Sequence, residues 1–345
     1  MNFTAIDFET ANGFRGSACA IGAVKIRDGK VADTHYSLLQ PPAGFDRFDP
    51  RNVAIHGITP DDVGTAPVFA DHFDAFRAFV GDDVMVAHNA NFDIGVIEAA
   101  LEVSHRPIPH MEFACTLTMS RKTYRLASHA LPSAAAEAGY QLADHHNALA
   151  DAKAAAAIVV DAAHRWQTTA FDALLEACRM QRRVVAAREV GTQLSRPTRH
   201  AMTMPGMFDA NNVAVPAEQL PDLIRWPNEG TNPPARADAD PRHPLYGHRV
   251  AFTGMLGLSR QDAKNKAAAH GAHTQSKIVA STTMVVIGDG IRPEDLVDIE
   301  HHPRLQQRKM REVVQRRAQG QDITLVTEPE FLHMLNINWP HASVV

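Results

Sequence analysis

Apolar and polar positions change in short blocks over the first 40 residues, and each block predicts an element. Phe3-Thr4-Ala5-Ile6-Asp7-Phe8-Glu9-Thr10 is a short apolar stretch broken by two carboxylates, the pattern of a strand. Ala18–Arg27 and Lys30–Leu39 flank Asp28-Gly29, a hairpin turn signal, so three strands open the chain as an antiparallel meander. Pro41, Pro42 and Pro50 mark a loop that leads to Ala54–Thr59. Phe69, Phe73, Phe76 and Val80 then recur at helical spacing within 67–80, an aromatic stripe that belongs to a core. Asp83–Asn89 predicts a fourth strand running into a helix over Asn91–Val103, and Glu112–Leu117 predicts a fifth strand. Helices fit 133–138, the alanine-rich 148–166, and the amphipathic 171–187.

The texture changes after that. Prolines at 197, 205, 216, 221, 227, 233, 234, 241 and 244 exclude long regular elements, and Asn228–Pro234 has the composition of a linker. Met202–Trp226 keeps enough apolar residues for part of it to pack on a domain. Order returns with a strand at Arg249–Gly254 and a helix at Ser259–His270, opened by Ser259 with Asp262 three residues on and closed by Gly271. Strands at Thr274–Ile278, Thr283–Ile287 and Ile323–Val326 and helices at Arg304–Arg317 and Glu328–Leu335 follow. Such alternation predicts a small α/β domain with a parallel sheet.

With 345 residues, the chain has room for two domains and a linker. An apolar fraction of 45% with 21% charged residues is that of a globular protein. No stretch approaches the roughly 20 apolar residues of a membrane span, and no basic-then-apolar leader opens the chain, so a cytoplasmic location is expected. Cys19, Cys115 and Cys178 are widely spaced and read as buried free thiols, not as a disulfide framework or a zinc site. The formal charge of −5 argues against a general basic coat, so contact with nucleic acid has to be local and metal-assisted.

The candidate chemistry starts at Asp7 and Glu9. On a strand they share a face, roughly 6.5–7 Å apart, close enough to grip divalent cations with other partners. Asp93 falls in the first turn of a helix, where a carboxylate alone is explained by the helix dipole. His146 and Asp151 are five residues apart, about 140° round a regular helix, and share a face only if His146 precedes the first turn. Asn147 is a suitable N-cap for that arrangement. His88 and His145 read as structural.

Ile6-Asp7-Phe8-Glu9-Thr10, His88-Asn89-Ala90-Asn91-Phe92-Asp93 and His146-Asn147-Ala148-Leu149-Ala150-Asp151 together resemble the three motifs of the DEDDh family, the epsilon-type 3′→5′ exonucleases of DNA polymerase III. The resemblance covers about 1–165 and includes Ile55-His56-Gly57-Ile58-Thr59 and Ser128-His129-Ala130-Leu131. One departure is Cys115-Thr116-Leu117, where many relatives carry Asp, outside the five motif residues. The resemblance implies an RNase H-like mixed five-stranded sheet with flanking helices. It also implies two Mg²⁺ or Mn²⁺ ions per site and release of nucleoside 5′-monophosphates from 3′ ends of single-stranded or frayed DNA. Asp7 would bridge both metals, Glu9 and Asp151 would complete the site of the attacking water, Asp93 would lie in the surrounding shell, and His146 would be the general base. Thr10 and His56 occupy positions where relatives contact the terminal nucleotide. Phe8 and Phe92 are candidates for packing against a base or sugar, although core packing is the favoured reading for each. RNA trimming fits the same motifs.

His243–Gly254 with Ser259–Lys264, Gly271-Ala272 and Thr282–Gly288 resembles a BRCT domain, over about 244–337. Val326–Phe331 lacks the tryptophan that many such domains carry, and 289–304 is long for the family. The resemblance implies docking to DNA or to repair and replication proteins, and makes Thr253 and Lys309 the candidate phosphate ligands. The expected organisation is an exonuclease domain at 1–168, a helix and Pro-rich linker at 169–243 and a BRCT domain at 244–340, in the bacterial cytoplasm or nucleoid. A nuclease fold that has lost activity and serves as a BRCT scaffold is the alternative from another class, and the intact five-residue set argues against it.

Overall fold

The computed structural model describes residues 1–191, 193–204, 206–217, 220–223, 229–254, 256–299, 305 and 307–337. Trp226, Asn228 and Arg304, used above as element bounds, lie outside the described residues. The chain forms two compact units, Met1–Thr198 with Phe208–Asn211, and Arg199–Met207 with Asn212–Val345. None of the described helices is long and apolar enough to cross a membrane.

The first unit runs β1 (Phe3–Thr10), β2 (Ala18–Arg27), β3 (Lys30–Leu38), α1 (Pro50–His56), α2 (Pro60–Val63), α3 (Phe69–Val80), β4 (Met85–Ala87), α4 (Asn91–Val103), β5 (Met111–Cys115), α5 (Thr116–Thr123), α6 (Leu131–Glu137), α7 (Ala148–Arg165), α8 (Phe171–Ala177) and β6 (Arg183–Val185). Its sheet is ordered β3-β2-β1-β4-β5-β6. The first three strands pair antiparallel, β4 and β5 run parallel to β1, and β6 returns antiparallel on the edge. The sheet is thus mixed, antiparallel on one side of β1 and parallel on the other.

Because β1 is central, both of its faces are covered. Ile6 and Phe8 point into a core with Phe69, Phe73, Phe76 and Ile97 from α3 and α4. Phe3 and Ala5 point the other way, against Ala152, Ala155, Val159 and Ala162 of α7. Alternation therefore sends Asp7 and Glu9 toward α7. The small side chains on that face of α7 let the helix approach the sheet closely.

Several elements depart from the sequence expectation. The sheet has six strands, not five. The helix expected over 171–187 stops at Ala177, the chain turns through Arg179 at φ +51°, and Arg183-Val184-Val185 pairs with β5. Two β-branched residues favour the strand there over a further helical turn. The fifth strand ends at Cys115, because buried Thr116 donates from its hydroxyl to the Ala87 carbonyl (3.3 Å) and opens α5. Helices also form in the Pro-rich 41–60 stretch. Pro50 and Pro60 stand at helix starts, where a missing N–H costs nothing, and the Asp49 carboxylate caps α1 by accepting from Arg51 N–H. The same logic allows α9 (Arg196–Met202), with Pro197 at its beginning. Phe208 packs its ring on Phe14 and Phe45, with centroids 6.0 and 6.4 Å away.

The second unit contains β7 (Arg249–Thr253), α10 (Arg260–Ala269), β8 (His273–Gln275), β9 (Met284–Ile287), α11 (Arg308–Ala318), β10 (Thr324–Thr327) and α12 (Glu328–Met334), with a 3-10 turn at Pro293–Leu296. Among the described residues its four strands are all parallel, in the order β10-β9-β7-β8. Val250, Phe252 and Val286 pack with Ala263, Ala267 and Phe331 on one face. Ala251, Val285 and Ile287 pack with Met310 and Val313 on the other. Ser259 caps α10 by accepting from Asp262 N–H.

Candidate active site

Asp7 lies opposite Gly22 in the β1–β2 register, and the two strands slip by one residue between Glu9 and Thr10. A β-bulge there turns the end of the strand where the second carboxylate sits. Gly22 is required by close approach. A Cβ on it would lie 2.3 Å from the backbone of Ala148 and Leu149 at the start of α7. The bare backbone at residue 22 thus lets α7 begin directly above Asp7. Asn147 caps the helix by accepting from Ala150 N–H at 3.1 Å.

Through that contact Asp151 reaches the strand. Asp7, Glu9 and Asp151 each offer an oxygen, and the three atoms lie within 4.8 Å of one another. Asp93, from the first turn of α4, is fully buried. Its Oδ1 accepts from Phe8 N–H at 3.2 Å. Its Oδ2 is buried with no hydrogen-bond partner among the described residues.

The electrostatic cost of this arrangement is visible in every member that shifts. Burial holds Asp7 well above the usual carboxylate range, and Asp93, Glu9 and Asp151 push it further. Burial, then Asp151 and Asp93, push Glu9 up to about 8. Asp93 is also raised to about 8, mainly by burial, although hydrogen bonds from its own and the Phe8 backbone and the nearby Arg15 pull the other way. Carboxylates crowded in this way call for a cation. An all-oxygen donor set suits a hard divalent ion such as Mg²⁺ or Mn²⁺, and the orphaned Asp93 oxygen suits a place beside it.

Two imidazoles flank Asp151. His146, at φ +70°, precedes α7, and its backbone N–H donates to Asp151 Oδ2 at 3.1 Å. Its ring stacks on His145 with centroids 3.8 Å apart. His145, which the sequence reading treated as structural, carries its Nδ1 to 3.0 Å from Asp151 Oδ2. Ligand atoms of His145, His146 and Asp151 also fall within 4.8 Å of one another. Burial and the neighbouring His145 lower the His146 pKa, with Asp151 opposing them. His88 has both ring nitrogens engaged: Nε2 donates to the His129 carbonyl at 2.9 Å, Nδ1 lies 3.1 Å from the Thr116 hydroxyl, and burial lowers its pKa to about 4.

Thr10 and His56 come together at the end of β1. Ile58 N–H donates to His56 Nδ1 at 3.0 Å, which leaves Nε2–H to donate to the Thr10 carbonyl at 3.1 Å. Asn52 Nδ2 donates to that same carbonyl at 2.8 Å. Phe8 is a correction. Its ring is 2% exposed and packs edge-on against Phe69 at 5.3 Å, on the sheet face away from Asp7 and Glu9, so it has no surface to offer a nucleotide. Phe92 is half-buried at the core edge, with the Arg15 guanidinium 5.8 Å from its ring centre. Thr253 and Lys309 both belong to the second unit. Thr253 donates to Gln307 Oε1 at 3.2 Å, and Lys309 Nζ donates to the Phe252 carbonyl at 2.9 Å.

Arg15 is the member that sequence reasoning missed. It is buried, donates to the Asn91 carbonyl at 2.7 Å and stands near Asp93. Its fit depends on Gly95, where a Cβ would lie 2.4 Å from the guanidinium. No local pattern around Phe14-Arg15-Gly16 signals this long-range contact.

Residues 4–159 match the RNase_T family, described as Exonuclease. The chain is 34% identical over 128 residues to a Mycobacterium tuberculosis protein named as a bifunctional exonuclease/endonuclease, covering 35% of this chain and 19% of that one. It is 28% identical over 158 residues to the PolC-type DNA polymerase III of Thermotoga petrophila (45% and 11%) and 30% over 145 residues to that of Bacillus subtilis (41% and 10%). The chain thus spans between a tenth and a fifth of the length of these relatives. Among solved structures, exonuclease X in complex with 5′ overhanging duplex DNA aligns at 25% identity and a TM-score of 0.42, over 51% of this chain and 99% of that one.

Proposed function

We propose that the protein is a metal-dependent 3′→5′ exonuclease that removes nucleoside 5′-monophosphates from the 3′ ends of DNA. The observation that carries this reading is the convergence of Asp7, Glu9 and Asp151 within 4.8 Å beside two imidazoles, in a domain of the exonuclease family.

In this reading Asp7, Glu9 and Asp151 hold two Mg²⁺ or Mn²⁺ ions, with Asp93 completing the shell through its free oxygen. When bound, the ions supply a hydroxide-like nucleophile at neutral pH and charge stabilisation at the phosphoryl and leaving oxygens. The chain supplies the rest. His146, lowered in pKa and therefore largely neutral near pH 7, accepts the proton of the attacking water. His145 orients Asp151 through its Nδ1. The Thr10 and His56 corner receives the terminal nucleotide, where His56 is fixed as the Nε2–H tautomer.

For the second unit we propose a BRCT-type docking module for DNA ends or for a repair or replication protein. Its support is the parallel β10-β9-β7-β8 order together with the residues that resemble the family. Thr253 and Lys309 are its proposed phosphate ligands.

The test is a panel of 3′-labelled single-stranded DNA, frayed duplex DNA and RNA, incubated with Mg²⁺, with Mn²⁺ and with chelator. The proposal expects stepwise release of 5′-monophosphates from DNA ends only with metal. Preferential trimming of RNA would replace DNA as the substrate, and intact substrates under conditions where a known exonuclease works would move the reading to an inactive scaffold.

A further inference from the structure

The second unit holds an ion cluster that the nuclease chemistry does not use. Lys309, in the first turn of α11, directs its Nζ to the Phe252 carbonyl at the end of β7 and to Glu229 Oε1. Lys264, from α10, has a fully buried side chain, and its Nζ lies 3.8 Å from the other carboxylate oxygen, Glu229 Oε2. The Lys264 ammonium also donates to Asn232 Oδ1 at 2.8 Å and to Ser276 Oγ at 2.9 Å. Two ammonium groups from two helices thus face one carboxylate. A buried ammonium persists only where acceptors surround it.

The carboxylate fills this place incompletely. Glu229 Oε2, which faces Lys264 only across 3.8 Å, is buried and makes no hydrogen bond among the described residues, so one of its two oxygens is underused. A phosphoryl group carries three oxygens able to accept, and would engage both lysines together. Thr253 Oγ1, now donating to Gln307, is a freely rotating hydroxyl next to Phe252 that can turn to such a group. The segment that brings Glu229 is seated on α10, where Thr231 N–H donates to Gln261 Oε1 at 2.8 Å.

We propose that Glu229 is a built-in occupant of an oxyanion site formed by Lys309 and Lys264, and that a phosphoryl group binds there by displacing it. This rests on reading the Thr253 and Lys309 neighbourhood as a phosphate site, and adds Lys264 as a second cation and Glu229 as the competitor. Removing the carboxylate charge therefore opens the site.

The experiment uses the full chain in chelator, titrated calorimetrically with inorganic phosphate, alongside mass-spectrometric measurement of acetylation at Lys309. Glu229→Gln is expected to bind phosphate about tenfold more tightly than wild type, the scale of one charged hydrogen bond, and to lose that gain when Lys309→Met is added. Lys309 acetylation should be faster in Glu229→Gln. If Glu229→Gln binds phosphate no more tightly while Lys309→Met still weakens wild-type binding, the phosphate site stands and the built-in occupant is overturned. If neither chain binds phosphate but Lys309 acetylation quickens, the phosphate reading fails and the displacement with it. Unchanged acetylation together with unchanged binding overturns the occupant on both readouts.

Discussion

Glu9 and Asp93 are both pushed to about 8, so in the absence of metal each holds a proton near neutrality that it gives up in the unfolded chain. A carboxyl raised in the folded state contributes stability that is fully present below its unfolded pKa, near 4, and is lost as pH rises through about 8. The metal-free protein should therefore lose stability between pH 5 and pH 8. Bound Mn²⁺ holds the carboxylates ionised and cancels this loss, so the rise in Tm on adding Mn²⁺ should grow over that range; an increment that is constant with pH would contradict the assignment. The two histidines separate on the same scale. His146→Ala should lower kcat by about 10²–10⁴-fold with little change in the metal concentration needed for half activity. His145→Ala, which removes the partner of Asp151, should shift that metal requirement instead. Full turnover in His146→Ala would remove its role as base.

At the scale of elements, the site exists because α7 starts directly above β1, and Gly22 permits that. Gly22→Ala would drive a methyl group to 2.3 Å from the Ala148 backbone, where no flexible side chain can yield. It should destabilise the protein by about 1–3 kcal/mol in urea unfolding and abolish activity, since Asp151 moves with the helix. Wild-type stability and activity in this variant would mean that α7 does not depend on the close approach. Much of this level was legible in the sequence. The period-2 pattern of β1 put Asp7 and Glu9 on one face, and the Asn147 signal set His146 outside the helix. What stayed hidden depends on distant partners. β6 is stabilised by pairing with β5, and Thr116 ends β5 by bonding across to Ala87, so neither is written in its own local pattern. Phe8, for which core packing was already the favoured reading, stayed a candidate because periodicity gives the face but not what covers it. Arg15 acquires its meaning only when Asp93 arrives from elsewhere in the chain, and His145 only when the turn before α7 brings its ring onto Asp151.

Over the whole molecule, the carboxylate cluster and the lysine cluster belong to different compact units, each with its own sheet and core. Mn²⁺ should slow hydrogen exchange at amides of β1 and α7 while leaving Val250, Phe252 and Val286 of the second unit unchanged, as linkage confines stabilisation to what unfolds with the ligand site. Protection in the second unit alone would place the metal there. The central claim is that the carboxylate cluster headed by Asp7 cuts DNA from its 3′ end. Its most direct test is the release of labelled nucleotide from a 3′-end-labelled oligonucleotide by wild type and Asp7→Ala, purified side by side and assayed with Mn²⁺. The account predicts metal-dependent release by wild type and none above background by Asp7→Ala; equal release by both would contradict it.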